Sequence, residues 1–204
     1  MMIALDWYRS APACLAEHPD AQELFVVSHG QIELSDWVAA AHAELSAGGD
    51  VEGIAIWTFA LSRRADLYQG FLSLPVTGVY RVVMSSSQQE LRGHMVKKWL
   101  ACNARLELRV AKTHAKIARV WGAGRRILVH GSGNASGGAR TIEQWQVSRD
   151  PHPGVWELLE ELEAGLPEVG CEHRVAVAAS GLGQSEAKRQ FATRLGLRAL
   201  KVKK

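Results

Sequence analysis

The chain has 204 residues with a net charge of +3, and 47% of them are hydrophobic, which suits a single soluble domain with a sizeable core. No apolar run reaches the roughly 18 to 20 residues of a membrane span, and no basic flank precedes an apolar stretch at the N-terminus, so we expect a cytoplasmic protein. Cys14, Cys102 and Cys171 lack CxxC spacing, which argues against a disulfide framework and a structural zinc site.

Hydrophobic patterns in the first quarter of the chain predict the order strand, helix, strand. The run at 24–30 is typical of a short buried strand, and the continuous apolar run at 51–61 is typical of a strand covered on both faces. Between them, residues 34–49 have helical spacing, with Ser35 as the expected N-cap. The helix is expected to bury Leu34, Val38, Ala41 and Leu45.

Strand and helix patterns continue to alternate through the rest of the chain. Short helices are predicted at 65–71 and 88–103, strands at 78–86, 106–121, 125–132 and 141–148, and a helix at 150–167. The last helix has an expected inward stripe of Val155, Leu158, Leu159, Leu162 and Leu166. This alternation predicts an α/β fold with a mixed, partly parallel β-sheet flanked by helices.

The pattern weakens after Pro167, so we expect a domain at 1–167 followed by a basic C-terminal extension at 168–204. The extension is predicted to form an edge strand, an amphipathic helix or both. From Lys188 to Lys204 it contains seven Lys or Arg residues and no acid. This segment is either a solvated terminus or a phosphate-binding tail.

Two short polar pairs interrupt the apolar strands of the third quarter. If residues 106–120 are extended, Lys112, His114 and Lys116 share one otherwise apolar face, where buried cations favour an anionic ligand. A bend near Lys112 would leave only His114 and Lys116 together.

The next strand ends in Ser132 and Asn134, each preceded by a glycine, Gly131 and Gly133, which allows backbone to approach a ligand closely. Glu143 follows on the third strand. If the three strands pair, His114, Lys116, Ser132, Asn134 and Glu143 converge.

These segments, THAKIARVW, HGSGNAS and IEQW, resemble the phospholipase D superfamily, whose signature is His-x-Lys, then Gly-Ser-x-Asn, then a later Glu. The resemblance is close over residues 106–147, and the short form with one motif is similar to proteins of bacteriophages and mobile elements. The superfamily usually has an Asp five residues after the Lys, where this chain has Trp121, so the complete HKD motif is absent.

The resemblance implies catalysis without a metal or another cofactor, through a phosphohistidine on His114. Lys116 and Asn134 would stabilise the phosphorane oxygens, while Ser132 and Glu143 would orient the other groups. Lys112, Gly131 and Gly133 are candidates for substrate binding. Because two motifs are needed and the chain has one, the site is expected to form across a homodimer.

Two functions follow from the resemblance. The first is a nuclease acting on DNA, favoured over a lipase by the small size, the single motif, the absence of a membrane segment and the basic C-terminus. The second is an inactive relative that binds DNA or a phosphorylated partner. A nucleotide-binding glycine loop is disfavoured because GxxxxGK[ST] and GxGxxG are absent. His130 is expected to be structural, and most tryptophans to belong to the core.

Overall fold

The computed structural model describes residues 2–7, 10–29, 32–59, 70, 72–85, 103, 105–132, 142–166 and 168. The strands are β1 Met2–Trp7, β2 Glu23–His29, β3 Val51–Thr58, β4 Val79–Ser85, β5 Leu106–Ala111, β6 Ile117–Gly122, β7 Arg125–Gly131 and β8 Ile142–Arg149. The helices are α1 Ala11–Glu17, α2 Leu34–Ser46 and α3 Pro153–Ala164.

The eight strands form one mixed sheet in the order β1-β2-β8-β7-β6-β3-β4-β5. The pairings make β6 and β8 antiparallel to the other six strands, which all run in one direction. This arrangement confirms the predicted α/β fold with a mixed, partly parallel sheet.

Helices lie against the two faces of the sheet. α1 and α2 pack on one face, where apolar side chains from β2 to β8 form the main core. On the other face, α3 places Trp156 edge-to-face against Trp121, with the ring centroids 5.8 Å apart. Strand β3 is buried along almost its whole length, as its continuous apolar sequence predicts.

Three predictions about these elements are wrong. Residues 106–121 do not form one strand, because the chain leaves the sheet at 112–116 and crosses from the edge strand β5 to the central strand β6. The N-cap of α2 is Glu33 rather than Ser35, since the Glu33 N–H donates to the Asp36 carboxylate at 2.7 Å.

The third wrong prediction concerns the stripe of α3, of which Val155, Leu158 and Leu162 remain about half exposed. The helix instead turns Trp156 and Glu163 towards the sheet, because the carboxylate of Glu163 accepts hydrogen bonds from side chains of the sheet.

Several other predictions lie outside the described residues. These are almost all of the helices at 65–71 and 88–103 and nearly the whole extension at 168–204. β1 and α1 have no counterpart among the predicted elements. Of the extension, Glu168 forms an isolated antiparallel bridge with Arg109 of β5.

Candidate active site

The strand directions bring four of the five candidate residues to one edge of the sheet. His114 and Lys116 precede β6, Ser132 follows β7, and Glu143 is the second residue of β8. Because β6 and β8 run against β7, the start of each lies beside the end of β7. The Gly131 N–H donates to the Lys116 carbonyl at 3.1 Å, which ties the two polar pairs together.

We call His114, Lys116, Ser132 and Glu143 the edge cluster. Within it, Lys116 and His114 form one contacting pair. The Lys116 Nζ lies 2.7 Å from His114 Nδ1 and donates to the His114 carbonyl at 2.8 Å. The His114 side chain is exposed, whereas Lys116 is only 6% exposed. Burial lowers the pKa of Lys116, and the negative charge of Glu143 partly opposes this effect.

Phe59, just beyond the end of β3, supports both of these side chains. Its ring centroid is 4.6 Å from that of His114, and the Lys116 Nζ lies 5.8 Å from the same ring centroid. Phe59 therefore limits the positions that the imidazole can take. Phe59 is not among the residues predicted from the sequence, although its position at the end of a buried apolar strand was an available signal.

Ser132 and Glu143 form the second contacting pair of the edge cluster. The Ser132 hydroxyl donates a short hydrogen bond to Glu143 Oε2 and accepts one from the Gln144 N–H at 2.9 Å. With its single proton committed to the carboxylate, the hydroxyl orients the largely buried Glu143. The two residues thus join the end of β7 to the start of β8. Because β7 also pairs with β6, this link lies near the start of β6, which Lys116 directly precedes.

Trp145 follows Glu143 by two residues on β8 and lies on the same face of the sheet. It is fully buried, packs 6.2 Å from Trp37 between ring centroids, and donates from Nε1 to the Ser28 hydroxyl at 3.2 Å. A Cβ at Gly131 would overlap the indole of Trp145 and the carbonyl oxygen of Gln144. Packing therefore accounts for this glycine, and Trp145 is a core residue, as predicted.

Of the remaining candidates that the structure describes, Lys112 lies apart from the edge cluster. Lys112 is exposed just after β5, and no described contact links it to His114. Asn134 and Gly133 lie outside the described residues. His130 is exposed on β7, paired with Ile117, and its neighbours Val129 and Gly131 face the opposite side of the sheet, where the main core lies.

Trp121, at the position of the superfamily Asp, lies away from the edge cluster. It is five residues beyond Lys116, about 16 Å along an extended strand, on the face that α3 covers. A Cβ on Gly53 would overlap its indole, so the ring lies directly on β3. A carboxylate at this position would not contact His114, and the tryptophan serves to pack α3 on the sheet.

A second charged cluster, which the sequence analysis missed, lies beneath α3. We call it the α3 anchor, and it consists of Glu163, Arg119, Arg81 and Trp57. Arg119 donates to Glu163 through Nε at 3.2 Å and Nη2 at 2.6 Å, while Arg81 Nη1 and Trp57 Nε1 donate at 2.9 and 2.8 Å. Arg119 and Glu163 are completely buried. The anchor binds α3 to three strands.

Within the part of the chain described, no group of three His, Cys, Asp or Glu side chains is arranged to hold a metal ion. No described helix is long and apolar enough to span a membrane.

Comparisons with known proteins find similarity in structure alone. No family model and no curated protein matches the sequence. The structure is similar to a polyphosphate kinase from Porphyromonas gingivalis, with a TM-score of 0.53 and 13% identity, over 76% of this chain and 29% of that one. The chain shares the fold of that part of the kinase. It spans less than a third of the length of that kinase.

Two further solved structures show a weaker similarity. One is TrmBL2, an archaeal chromatin protein, with a TM-score of 0.46 and 10% identity, over 77% of this chain and 60% of that one. The other is Nuc, a phospholipase D family member from Salmonella typhimurium, with a TM-score of 0.46 and 15% identity, over 72% of this chain and 97% of that one.

Proposed function

We propose that the chain is a metal-independent phosphodiesterase that cleaves nucleic acid through a phosphohistidine on His114. The observation that carries this proposal is the contact between an exposed imidazole and the nearly buried ammonium of Lys116. An imidazole is a nucleophile near neutral pH, and a neighbouring cation stabilises the charge that develops on phosphorane oxygens.

The hydrogen bond between Lys116 and His114 determines where the imidazole proton resides before substrate binds. A protonated lysine can only donate, so Nδ1 accepts and the proton of a neutral imidazole lies on Nε2. A phosphate oxygen is a stronger acceptor for the ammonium than Nδ1 is. Substrate binding would therefore draw Lys116 away, and proton exchange with water would then move the proton to Nδ1 and leave the Nε2 lone pair free.

The chemical steps then balance. Nε2 of His114 attacks phosphorus, an N–P bond forms, and the P–O bond to the leaving group breaks while a second imidazole protonates that oxygen. The same imidazole then deprotonates a water molecule, which attacks phosphorus and breaks the N–P bond. Glu143, held by the hydrogen bond from Ser132, would orient the other groups of the site. Asn134 is proposed as a further ligand of the phosphate oxygens.

We further propose that the second imidazole is His114 of another copy of this chain. The sequence contains one His-x-Lys followed by Gly-Ser-x-Asn and no second such pair. A two-fold dimer would supply one histidine from each subunit, with the roles of nucleophile and acid divided between them.

Nucleic acid is the proposed substrate because it is a polymer of phosphodiesters that a basic protein attracts. The supporting features are the net charge of +3, the basic segment from Lys188 to Lys204, and the fold shared with an enzyme named for another phosphate polymer.

A cleavage assay in excess EDTA tests the proposal. Single- and double-stranded DNA and a generic phosphodiester are incubated with the unmodified protein, with His114→Ala, and with His130→Ala as the matched control. His130 is likewise an exposed histidine, on the strand next to β6. We expect turnover that is lost in His114→Ala and kept in His130→Ala. Turnover that survives in His114→Ala would overturn the proposal.

A second candidate is a non-catalytic protein that binds DNA or a phosphorylated partner at the same cluster. It is favoured by the hydrogen bond from Lys116 to Nδ1 of His114. This bond keeps the imidazole proton on Nε2, the nitrogen that would have to attack phosphorus. Trp121 in place of the superfamily Asp fits this candidate as well. DNA binding without turnover in the unmodified protein, weakened in Lys116→Ala, would establish the binder and reject the enzyme.

A further inference from the structure

The imidazole of His114 lies on a short connection outside the sheet. The chain crosses from β5 to β6 through residues 112–116, and the Ala115 N–H donates to the Thr113 hydroxyl at 3.0 Å, which shapes the backbone beside His114. The imidazole itself is exposed. An exposed side chain moves among rotamers unless contacts hold it, so attack on phosphorus in a defined geometry needs such contacts.

Two described side chains hold the imidazole. The Lys116 Nζ lies 2.7 Å from its Nδ1. The ring of Phe59 packs against the imidazole with the centroids 4.6 Å apart and the planes tilted by 48°, a separation typical of favourable aromatic pairs. The same phenyl ring has its centroid 5.8 Å from the Lys116 Nζ, within the range of a cation–π contact. Phe59 therefore adjoins both partners of the contacting pair.

Strand β3 holds Phe59 in a fixed place. This strand is paired on both sides, with β4 and with β6, and the two residues before Phe59, Trp57 and Thr58, are buried. Trp57 pairs with Ile117, the residue that follows Lys116. The phenyl ring is thus carried by a central strand whose end is tied to the segment that carries His114 and Lys116.

The two contacts of the imidazole respond differently to a bound phosphate. In the proposed mechanism a phosphate oxygen draws the ammonium of Lys116 away from Nδ1 before Nε2 attacks. The phenyl ring of Phe59 carries no charge, so the phosphate does not compete for its contact with the imidazole. Of the two described contacts, the one with Phe59 remains while the reaction takes place.

We propose that Phe59 is a positioning residue that keeps the imidazole of His114 aligned for attack after Lys116 turns to the phosphate. This inference rests on the proposed function. It gives the two neighbours of the imidazole separate tasks, because Lys116 binds the phosphate while Phe59 fixes the plane of the ring. Misalignment of a nucleophile slows the chemical step without weakening the binding of substrate, so the loss of Phe59 should appear in kcat and not in KM.

Steady-state cleavage in excess EDTA tests this role. Phe59→Leu keeps an apolar side chain but removes the ring, and it should lower kcat by about 10- to 100-fold while KM stays close to that of the unmodified protein. Phe59→Tyr restores the ring and should keep kcat. Phe25→Leu is the matched control, because Phe25 is a 37% exposed phenylalanine on β2, which β8, β7 and β6 separate from β3. It should leave kcat unchanged.

The kinetic outcomes separate this inference from the proposed function. An unchanged kcat in Phe59→Leu, with turnover that still requires His114, would overturn the role of Phe59 and leave the proposed function in place. A rise in KM with kcat unchanged would likewise overturn it, because Phe59 would then contribute to binding alone. Absence of turnover in the unmodified protein would reject both.

NMR of Lys116→Met tests the positioning without turnover. This substitution removes the ammonium from Nδ1, as a bound phosphate would, and leaves Phe59 against the imidazole. The carbon-bound ring protons of His114, assigned by their loss in His114→Ala, should keep the ring-current shift that Phe59 causes. Adding Phe59→Leu should move them to the values of an exposed histidine, whereas adding Phe25→Leu should not. Exposed-histidine values already in Lys116→Met would overturn the inference.

Discussion

The edge cluster and the α3 anchor both place a buried cation near a glutamate, yet they differ in what satisfies the cation. In the anchor, Arg119 lies between Trp121 and Trp156, at 5.4 and 4.6 Å from their ring centroids, and is paired directly with Glu163. In the edge cluster, the described hydrogen bonds of Lys116 go to neutral atoms of His114. A cation paired with a carboxylate stabilises a fold, whereas one held by neutral acceptors can still receive an anion.

The largest contrast between the two clusters is expected in activity. Lys116→Ala should lower kcat by about 10²- to 10³-fold, because it removes the cation that stabilises the transition state. Steady-state cleavage rates measure the loss, with Lys112→Ala as the control for an exposed lysine outside the cluster. Equal losses in the two variants would indicate general attraction of the substrate by charge instead of a specific role for Lys116.

Stability should show the reverse contrast. Glu163→Gln should lower the free energy of unfolding by about 3–5 kcal/mol, because it leaves the buried Arg119 with only the half-exposed Glu160 as a counter-charge. Urea unfolding measures the change, and kcat per folded molecule should remain close to that of the unmodified protein. A loss of activity without a loss of stability would assign the α3 anchor a role that its closed geometry does not suggest.

Mixed dimers test whether two edge clusters act together. When unmodified and His114→Ala subunits are refolded together in equal amounts, activity should fall to about a quarter if both histidines are required, since a quarter of random dimers carry two of them. Activity of about half would show that each subunit works alone. A monomer at micromolar concentration, found by sedimentation, would also reject the shared site.

The smallest expected effect is a shift in pH dependence. Burial lowers the pKa of Lys116, so its ammonium is lost at a lower pH than that of an exposed lysine. The alkaline decline of kcat/KM should therefore begin below pH 10.5, the ordinary lysine value. Lys116→Arg keeps its positive charge to a higher pH, so the decline of kcat/KM in this variant should begin at a higher pH than in the unmodified protein. An unchanged decline would mean that another group titrates.

The same lowered pKa has a consequence for stability. A lysine that binds its proton less tightly when folded makes the free energy of unfolding rise with pH between its lowered pKa and the ordinary value of 10.5. Lys116→Met should remove this rise, as measured by urea unfolding across that pH window. For Arg81 of the α3 anchor, by contrast, burial lowers the pKa, but the hydrogen bonds that Arg81 donates to Glu107 and Glu163 raise it overall above its ordinary value.

The sequence predicts the edge cluster better than the α3 anchor because the cluster residues lie on three strands, β6, β7 and β8, that follow one another in the chain. His114 with Lys116, and Ser132 with Glu143, sit at the ends of apolar runs whose pairing follows from their order. Glu163 finds its partners on β3, β4 and β6, between 44 and 106 residues away. No periodicity in the helix shows such partners, and for this reason the leucine stripe was expected to face inward.

The break between β5 and β6 was hidden for a similar reason. Leu106 and Leu108 on β5 continue the alternation of Ala118 and Val120 on β6, so the hydrophobic pattern runs across the segment that leaves the sheet. The strands are separated by β3 and β4, a relation that depends on long-range pairing alone. His114 and Lys116 stay together because they are two residues apart, whereas Lys112 separates from them.

The most direct test of the proposed mechanism is capture of the phosphohistidine. The protein is mixed with a labelled phosphodiester, quenched at alkaline pH to preserve the N–P bond, digested and examined by mass spectrometry. We predict the label on the peptide that contains His114, at up to one site per dimer, and its absence in His114→Ala. Turnover without a label on His114, or a label on His130, would contradict the account.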